Sequence, residues 1–111
     1  MHAARLRRGE DIARVRSEGI RRTATFFSLR ALATSEPTVR VAVAASRAVG
    51  GAVQRNRARR RVREAVRTVL AGRPTPRAGA DLVLVVRPAA LDARAADLRT
   101  SVEQHLGAVL G

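Results

Sequence analysis

The stretch Val49-Gly-Gly-Ala-Val-Gln-Arg-Asn-Arg-Ala-Arg-Arg-Arg-Val-Arg-Glu64 decides the fold of this chain of 111 residues. Written as a helix that continues beyond Glu64, it places one apolar stripe at the spacing of a buried face: Ala58, Val62, Ala65, Val66 and Val69. The opposite side carries Asn56, Arg57, Arg60, Arg63 and Arg67. The sequence therefore predicts a helix over about residues 52–70 that packs by one face and exposes arginines on the other.

The charge of the chain predicts a polyanionic partner. All 22 basic residues are arginine, against nine acids, which gives a net charge of +13. Between Arg55 and Arg67 there are seven arginines and a single acid, Glu64. A guanidinium group can donate two parallel hydrogen bonds to the oxygens of a phosphate, so a nucleic acid is the predicted partner. An anionic membrane is the weaker alternative, because the aliphatic runs at 41–45 and 82–86 fall far short of the ~18 residues of a spanning helix.

The rest of the pattern predicts one RNA-binding domain over residues 1–111, with elements in the order α-β-β-α-β-α. We expect a helix over Gly9–Glu18, an extended segment over 20–33 that begins with a short edge piece, and a strand over Val39–Ala45 buried on both sides. A loop at 72–79, a buried strand at 81–86 and a last helix over about 93–109 follow. Asp81 is predicted to cap a turn and Asp92 to cap the last helix. The result is an α/β (α+β) two-layer sandwich with one mixed sheet.

Motifs of catalysis are missing from the sequence. It contains no GxSxG, no phosphate-binding Walker loop and no HExxH. His2 and His105 stand alone and are interpreted as structural rather than as metal ligands or bases. The chain has no cysteine, and its N-terminus has no apolar segment typical of a secretory signal, so a cytoplasmic location is expected.

With these residues in view, the chain resembles the bacterial ribonuclease P protein component. That family carries the pattern Ser-Lys-Lys-x-Gly-Asn-Ala-Val-x-Arg-Asn-Arg-x-Lys-Arg-x-x-Arg-Glu. This chain reads Ser46-Arg-Ala-Val-Gly-Gly-Ala-Val-Gln-Arg-Asn-Arg-Ala-Arg-Arg-Arg-Val-Arg-Glu64. The segments Leu6 to Gly19 and Asp81 to Ala90 also look like the family's opening and its last strand. The resemblance thus extends from about Leu6 to the C-terminus.

The resemblance implies a fold and a function. The fold is an α/β sandwich with a left-handed βαβ crossover through the Arg-Asn-Arg helix. The function is that of a non-catalytic protein subunit in a ribonucleoprotein endoribonuclease that removes the 5′ leader of precursor tRNA. The RNA subunit would carry out the hydrolysis with Mg²⁺, and the protein alone would bind no metal. Its partners would be the RNase P RNA and the leader, with no membrane and no obligate protein partner.

The same resemblance nominates two sets of binding residues and no catalytic residue. The helix that binds the RNA subunit would use Arg55, Asn56, Arg57, Arg59, Arg60 and Arg63. Further contacts with RNA or with the leader would come from Arg8, Ile12, Arg16, Phe27, Arg30, Ser46 and Arg47.

The chain departs from the family in the cleft that would hold the leader. Aromatic residues are usual there, whereas this chain has 2% aromatic residues, and Ile12, Arg16 and Arg30 stand at the aligned positions. We expect the guanidinium planes of Arg16 and Arg30 to stack on bases instead. Two other classes remain open at this stage: a ribosome-associated or general RNA-binding protein of similar fold, and a DNA-binding protein that uses the arginine helix in a major groove. The latter is weaker, because the helix is flanked by strands rather than by a partner helix.

Overall fold

The computed structural model describes all 111 residues. Three α-helices and five strands follow one another along the chain: β1 (Ala4–Arg5), α1 (Gly9–Glu18), β2 (Ile20–Thr23), β3 (Phe27–Ala33), β4 (Val39–Ala45), α2 (Ala52–Ala71), β5 (Ala80–Val86) and α3 (Ala95–Leu110). Two short 3-10 helices, Arg47–Val49 and Pro88–Leu91, precede α2 and α3. No helix combines the length and the apolar character that crossing a bilayer requires.

The strands form one mixed sheet in the order β1-β4-β5-β3-β2. β4 and β5 are parallel and are joined by the crossover through α2, and β1 runs parallel to β4. β3 is antiparallel to both β5 and β2. The predicted sheet class and the parallel crossover are confirmed, and the left-handed sense of the crossover stays a prediction.

The main core lies between one face of the sheet and the helices α2 and α3. Alternate strand residues such as Phe27, Leu29, Leu82 and Leu84 point into it and are fully buried. The helices contribute the buried stripes Ala58, Val62, Ala65, Val66 and Leu70 from α2 and Leu98, Val102 and Leu106 from α3. The apolar stripe predicted for α2 is therefore confirmed, except that Leu70 takes the innermost place at its C-terminal end and Val69 is half-buried.

α1 packs on the opposite face of the sheet and covers only part of it. Its Val15 forms a second, small core with Leu6 and Val83. The bounds predicted for α1 are confirmed, while the two residues of β1 were missed because so short a strand has no periodicity to detect. One consequence is that β4 is not buried on both sides: apart from Val39, its residues are half-buried or exposed.

An ion-pair cluster fixes the N-terminal end of α1 to the sheet. The carboxylate of Asp81, which is 7% exposed, accepts two hydrogen bonds from Arg40, at 2.8 Å from Nε and 2.6 Å from Nη2. Arg40 also reaches Asp11 of α1 at 3.5 Å. The bond to Asp81 raises the pKa of Arg40. The prediction that Asp81 caps a turn is wrong: it lies inside β5, opposite Arg40 of β4.

We expect Asp81→Asn to lower the free energy of unfolding by about 1–2 kcal/mol. Breaking a fully buried pair costs about 3–5 kcal/mol, but the Arg40 side chain is 37% exposed and retains Asp11. Urea denaturation measures the change. Asp92→Asn is the matched control, because Asp92 is exposed and forms no ion pair. Equal effects of the two substitutions would contradict this account.

The start of α3 also differs from the prediction. Asp92 ends the short helix before it, and α3 begins at Ala95 after Arg94, with no side-chain hydrogen bond to its first turn. Further along α3, His105 packs edge-on against Phe27 with ring centroids 5.7 Å apart. Its Nδ1 accepts a hydrogen bond from Arg22 Nε at 3.2 Å, and burial, with the charge of Arg22, lowers the pKa of His105. Its geometry is that of a residue at the margin of the main core.

Candidate nucleic-acid interface

The outward face of α2 carries the arginines that the sequence predicts. Asn56, Arg57, Arg60, Arg63 and Arg67 are exposed, as expected, and Arg55 and Arg59 are half-buried at its margin. α2 begins after Gly50, whose φ of +138° favours glycine, and after Gly51, which offers no side-chain cap to the first turn. The helix thus starts with backbone N–H groups that no side chain of its N-cap satisfies.

Some of these polar groups are paired within the helix. Arg67 donates two hydrogen bonds to Glu64, which raises the pKa of Arg67 and lowers the pKa of Glu64. Arg59 donates to the side-chain oxygen of Asn56. Arg57, Arg60 and Arg63 have no carboxylate partner. We call these three residues the α2 arginine face.

Arg61 belongs to the fold rather than to this face. Its Nη1 donates to the backbone carbonyls of Ala90, at 2.8 Å, and Leu91, at 2.5 Å, and its Nη2 donates to that of Ala93. Arg61 is one of the seven arginines between Arg55 and Arg67, but it lies on the flank of α2 that meets the segment between β5 and α3.

Arg63 is crowded by other cations. Burial lowers the pKa of Arg63, and the charges of Arg5 and Arg59 add to the effect. Arg5 belongs to β1. Because β1 pairs in parallel with β4, it lies alongside α2. Sequence reasoning missed Arg5, since only the pairing of β1 brings it to this place. A group of guanidiniums without a carboxylate is stabilised when a phosphate joins it.

A groove opens where α1 leaves the sheet uncovered, and we call it the α1 groove. It has a volume of about 650 Å³ and runs beside β4, between α1 and the end of β1. Four of the seven contacts predicted outside α2 line it, and its lining includes five arginines and no acid. The lining residues are Arg5, Leu6, Arg7, Ile12, Arg16, Val41, Ala42, Val43, Ala44, Ala45, Ser46, Arg47, Arg63, Val83 and Val85.

The other three contacts predicted outside α2 are not in the lining of the groove. Phe27 is fully buried in the main core, against His105, so the prediction that it contacts RNA is wrong. Its position on β3 points it to the face that α2 and α3 cover, whereas the groove runs over the other face and around the edge of β4. Arg8 lies outside the groove and pairs with Glu10. Arg30 lies on the groove side of the sheet but on β3, farther from β4.

The α1 groove and the α2 arginine face are continuous, because Arg63 belongs to both. A polyanion bound on α2 would therefore lie next to whatever enters the groove. Aliphatic side chains form the floor of the groove and arginines form its rim, an arrangement that suits the bases and phosphates of a single strand.

The chain is similar to proteins of known identity over nearly its whole length. The sequence model of the ribonuclease P family matches residues 1–109. The ribonuclease P protein component of Chloroflexus aurantiacus is 46% identical over 101 residues, which cover 90% of this chain and 73% of that protein. The ribonuclease P protein component of Dehalococcoides mccartyi is 34% identical over 106 residues, covering 96% of this chain and 84% of that protein.

Solved structures show the same fold. The RNase P protein from Thermotoga maritima superimposes with a TM-score of 0.80 at 23% identity, covering 96% of this chain and 98% of that chain. The RNase P protein of Staphylococcus aureus gives a TM-score of 0.77 at 22% identity, with 96% and 95% of the two chains covered.

Proposed function

The chain belongs to the ribonuclease P protein family, and on that premise we propose that it binds the RNase P RNA through α2 while it holds the 5′ leader of precursor tRNA in the α1 groove. Proteins of this family are subunits of an endoribonuclease and work with the RNase P RNA. The family match does not favour the alternative of a ribosome-associated or general RNA-binding protein.

The observation that carries the proposal is the contact between two surfaces of different character. The α2 arginine face is exposed and charged, which suits the phosphates of a folded RNA. The α1 groove is concave, and its floor is aliphatic, which suits a single strand. Arg63 joins the two, so the protein would hold the RNA subunit and the leader side by side.

The leader would be held without aromatic stacking. Ile12 and the aliphatic residues of β4 offer an apolar surface to the bases, and Arg16 lies at the rim on α1. We assign Arg16 the role of a guanidinium plane that stacks on a base, with Arg47 and Ser46 at the other end of the groove meeting phosphate oxygens.

The chemistry is assigned to the RNA subunit, with its Mg²⁺. The acids beside the two surfaces form ion pairs with arginines: Glu64 with Arg67, and Asp11 and Asp81 with Arg40. No group of three or more His, Cys, Asp or Glu side chains is arranged to hold a metal ion. The residues present therefore do not fit a Mg²⁺ site.

Reconstitution tests the proposal. The purified chain, an RNase P RNA and a precursor tRNA are mixed at low Mg²⁺, with each component omitted in turn. We expect the protein to stimulate cleavage by the RNA, and to bind the precursor more tightly than mature tRNA in the reconstituted complex. Arg16→Ala should weaken binding of the precursor and leave binding of mature tRNA unchanged.

Two outcomes would overturn the proposal in different ways. Cleavage by the protein without RNA would place the chemistry in the protein. Equal binding of precursor and mature tRNA, with no stimulation of cleavage, would leave a general RNA-binding protein.

A further inference from the structure

A second cavity opens between the segment before β1 and the C-terminal half of α2, and we call it the α2 cavity. It has a volume of about 320 Å³, and eight of its twelve lining residues are hydrophobic. Ala3 comes from the segment before β1, and Val66, Leu70 and Ala71 come from α2. Of the RNA contacts predicted from the sequence, only Arg63 belongs to this lining. The function proposed above therefore leaves the interior of the cavity unused.

The α2 cavity is distinct from the α1 groove, although the two meet at the outer edge of the sheet. They share Arg5, Val41, Val43 and Arg63. No residue of α1 lines the cavity, and Arg63 is the only residue of α2 that lines the groove. A ligand inside the cavity would thus contact α2 and not α1.

The interior of the α2 cavity is apolar surface left open beside the main core. Val41 and Val43 pack against that core but stay half-buried, and Ala71 is exposed. Alanine at positions 3, 4 and 71 leaves space that larger side chains would fill. Burial of such a surface against a ligand is favourable, so an open apolar cavity of this kind is typical of a binding site.

The charges at the cavity select an anionic ligand. Arg5, Arg63 and Arg67 line it, and no acid does. Arg67 is paired with Glu64, whereas Arg5 and Arg63 have no carboxylate partner. Burial and the charge of Arg5 lower the pKa of Arg63, so an anion beside them would relieve an unfavourable arrangement. A ligand with an apolar body and an anionic group fits, whereas a second copy of this chain, with its net charge of +13, would be repelled.

We propose that the α2 cavity binds one unstacked nucleotide of the RNase P RNA, with the base inside the cavity and the phosphate between Arg5 and Arg63. The inference rests on the function proposed above, because Arg63 also belongs to the α2 arginine face that meets this RNA. The cavity is at the small end of the range for ligand pockets, which suits a single base. The guanidinium planes beside it can stack on that base. Phosphate contacts carry no sequence information, so this site would add recognition of one exposed base to the charge contacts of α2.

Substitutions that fill the cavity test the proposal without changing any charge. The variant Ala3→Leu/Ala71→Leu places larger aliphatic side chains at two lining positions. The control, Ala13→Leu/Ala96→Leu, makes the same change at exposed positions of α1 and α3 that line neither the cavity nor the groove. Binding of the RNase P RNA is measured in the absence of precursor tRNA. We expect the variant to bind about tenfold more weakly than the wild type, and the control to bind within about threefold of it.

The salt dependence of binding separates a base contact from a loss of arginine contacts. The slope of log K against log salt should fall by less than about 1 in the variant, since at most one phosphate contact is lost with the base. A fall of about 2 or more would mean that the leucines displace the arginines of α2, and it would contradict the assignment of a base to the cavity.

Chemical probing of the RNase P RNA locates the nucleotide. Dimethyl sulfate and a carbodiimide modify unpaired bases, and the protein is added at concentrations that saturate the RNA. One unpaired base should be protected by the wild type and by the control, and it should stay reactive with the variant. Deletion of that nucleotide should weaken binding of the wild type about tenfold and binding of the variant by less than about threefold, because the two changes remove the same contact.

Each other outcome decides against this assignment. Equal affinity and equal protection in the variant and the wild type would show that the cavity holds no base of the RNA subunit. Weaker binding of precursor tRNA by the variant holoenzyme, with unchanged binding of the RNase P RNA, would assign the cavity to the leader. Self-association of the free wild type that the variant abolishes would assign it to a second copy. A wild type that does not bind the RNase P RNA would overturn the proposed function itself, and this assignment with it.

Discussion

Arg61→Ala should lower the free energy of unfolding by about 3 kcal/mol. The side chain donates hydrogen bonds to three backbone carbonyls, those of Ala90, Leu91 and Ala93, and Ala90 is fully buried. A hydrogen bond from a charged donor contributes about 1.5–3 kcal/mol, and a buried acceptor left without a partner adds a desolvation cost. Because Arg61 is half-buried, water can replace part of what the carbonyls lose. The expected loss of stability is therefore smaller than the sum of three full hydrogen-bond contributions. Urea denaturation measures the change.

Arg60→Ala is the control for this prediction. Arg60 is the preceding residue and carries the same charge, but it is exposed and has no partner in the fold. Its replacement should change the free energy of unfolding by less than about 0.5 kcal/mol. If the two variants unfold at the same urea concentration, Arg61 does not hold the segment between β5 and α3.

Arg61→Lys separates the charge of this residue from its geometry. Lysine keeps the positive charge but presents a single ammonium group in place of the planar fork that serves three carbonyls. We expect it to recover less than half of the stability lost in Arg61→Ala.

The periodic parts of the sequence predicted their structure well. The buried stripe of α2 follows from the spacing of its apolar residues, and the bounds of α1 follow from the glycines at its ends. The bounds of β4 follow from its apolar run after the turn at Pro37, because such patterns are local properties of the chain. The exposed face of α2 follows from the same periodicity. The arginines that lie there are therefore the part of the candidate site that the sequence predicts best.

Contacts between distant parts of the chain were not predictable in this way. In the sequence, Arg61 and Arg60 are adjacent arginines with nothing to distinguish them. Arg61 has a structural role only because residues 88–93 pass beside it and present their backbone carbonyls. Asp81 looks like a turn residue until β4 and β5 are paired and Arg40 lies opposite it. These outcomes depend on which elements become neighbours, which a single sequence does not reveal.

The face of the sheet to which each strand residue points is also hard to predict from the sequence. Phe26 and Phe27 are adjacent, and a shift of one residue exchanges the face to which each points. The structure places Phe27 in the main core. The partial cover of β4 has the same origin: its aliphatic run is typical of a fully buried strand, yet α1 leaves one face open and so creates the groove.

The combined substitution Arg57→Ala/Arg60→Ala/Arg63→Ala should weaken binding to the RNase P RNA by about 10²- to 10³-fold. Each of these side chains is exposed and has no acid partner, so each is free to contact a phosphate, and three such contacts contribute about 3–4 kcal/mol. The slope of log K against log salt should fall by about 2–3. Filter binding over a range of salt concentrations measures both quantities.

The variant should remain folded, which makes the loss interpretable. Alanine is the best helix former, and removal of Arg63 relieves its crowding by Arg5 and Arg59. Unfolding in urea should therefore show a stability equal to or above that of the wild type. The loss of affinity then comes from the missing contacts and not from unfolding.

Two controls separate the α2 arginine face from total charge and from any change to α2. Arg14→Ala/Arg77→Ala/Arg94→Ala removes the same charge from exposed positions outside α2, and Glu64→Ala/Arg67→Ala changes the same helix without changing net charge. Both should bind the RNA within about threefold of the wild type, since long-range attraction between exposed charges is screened beyond about 8–10 Å in ordinary salt. If the charge-matched control loses as much affinity as the α2 variant, binding follows net charge alone, and the geometry of α2 has no special part in it.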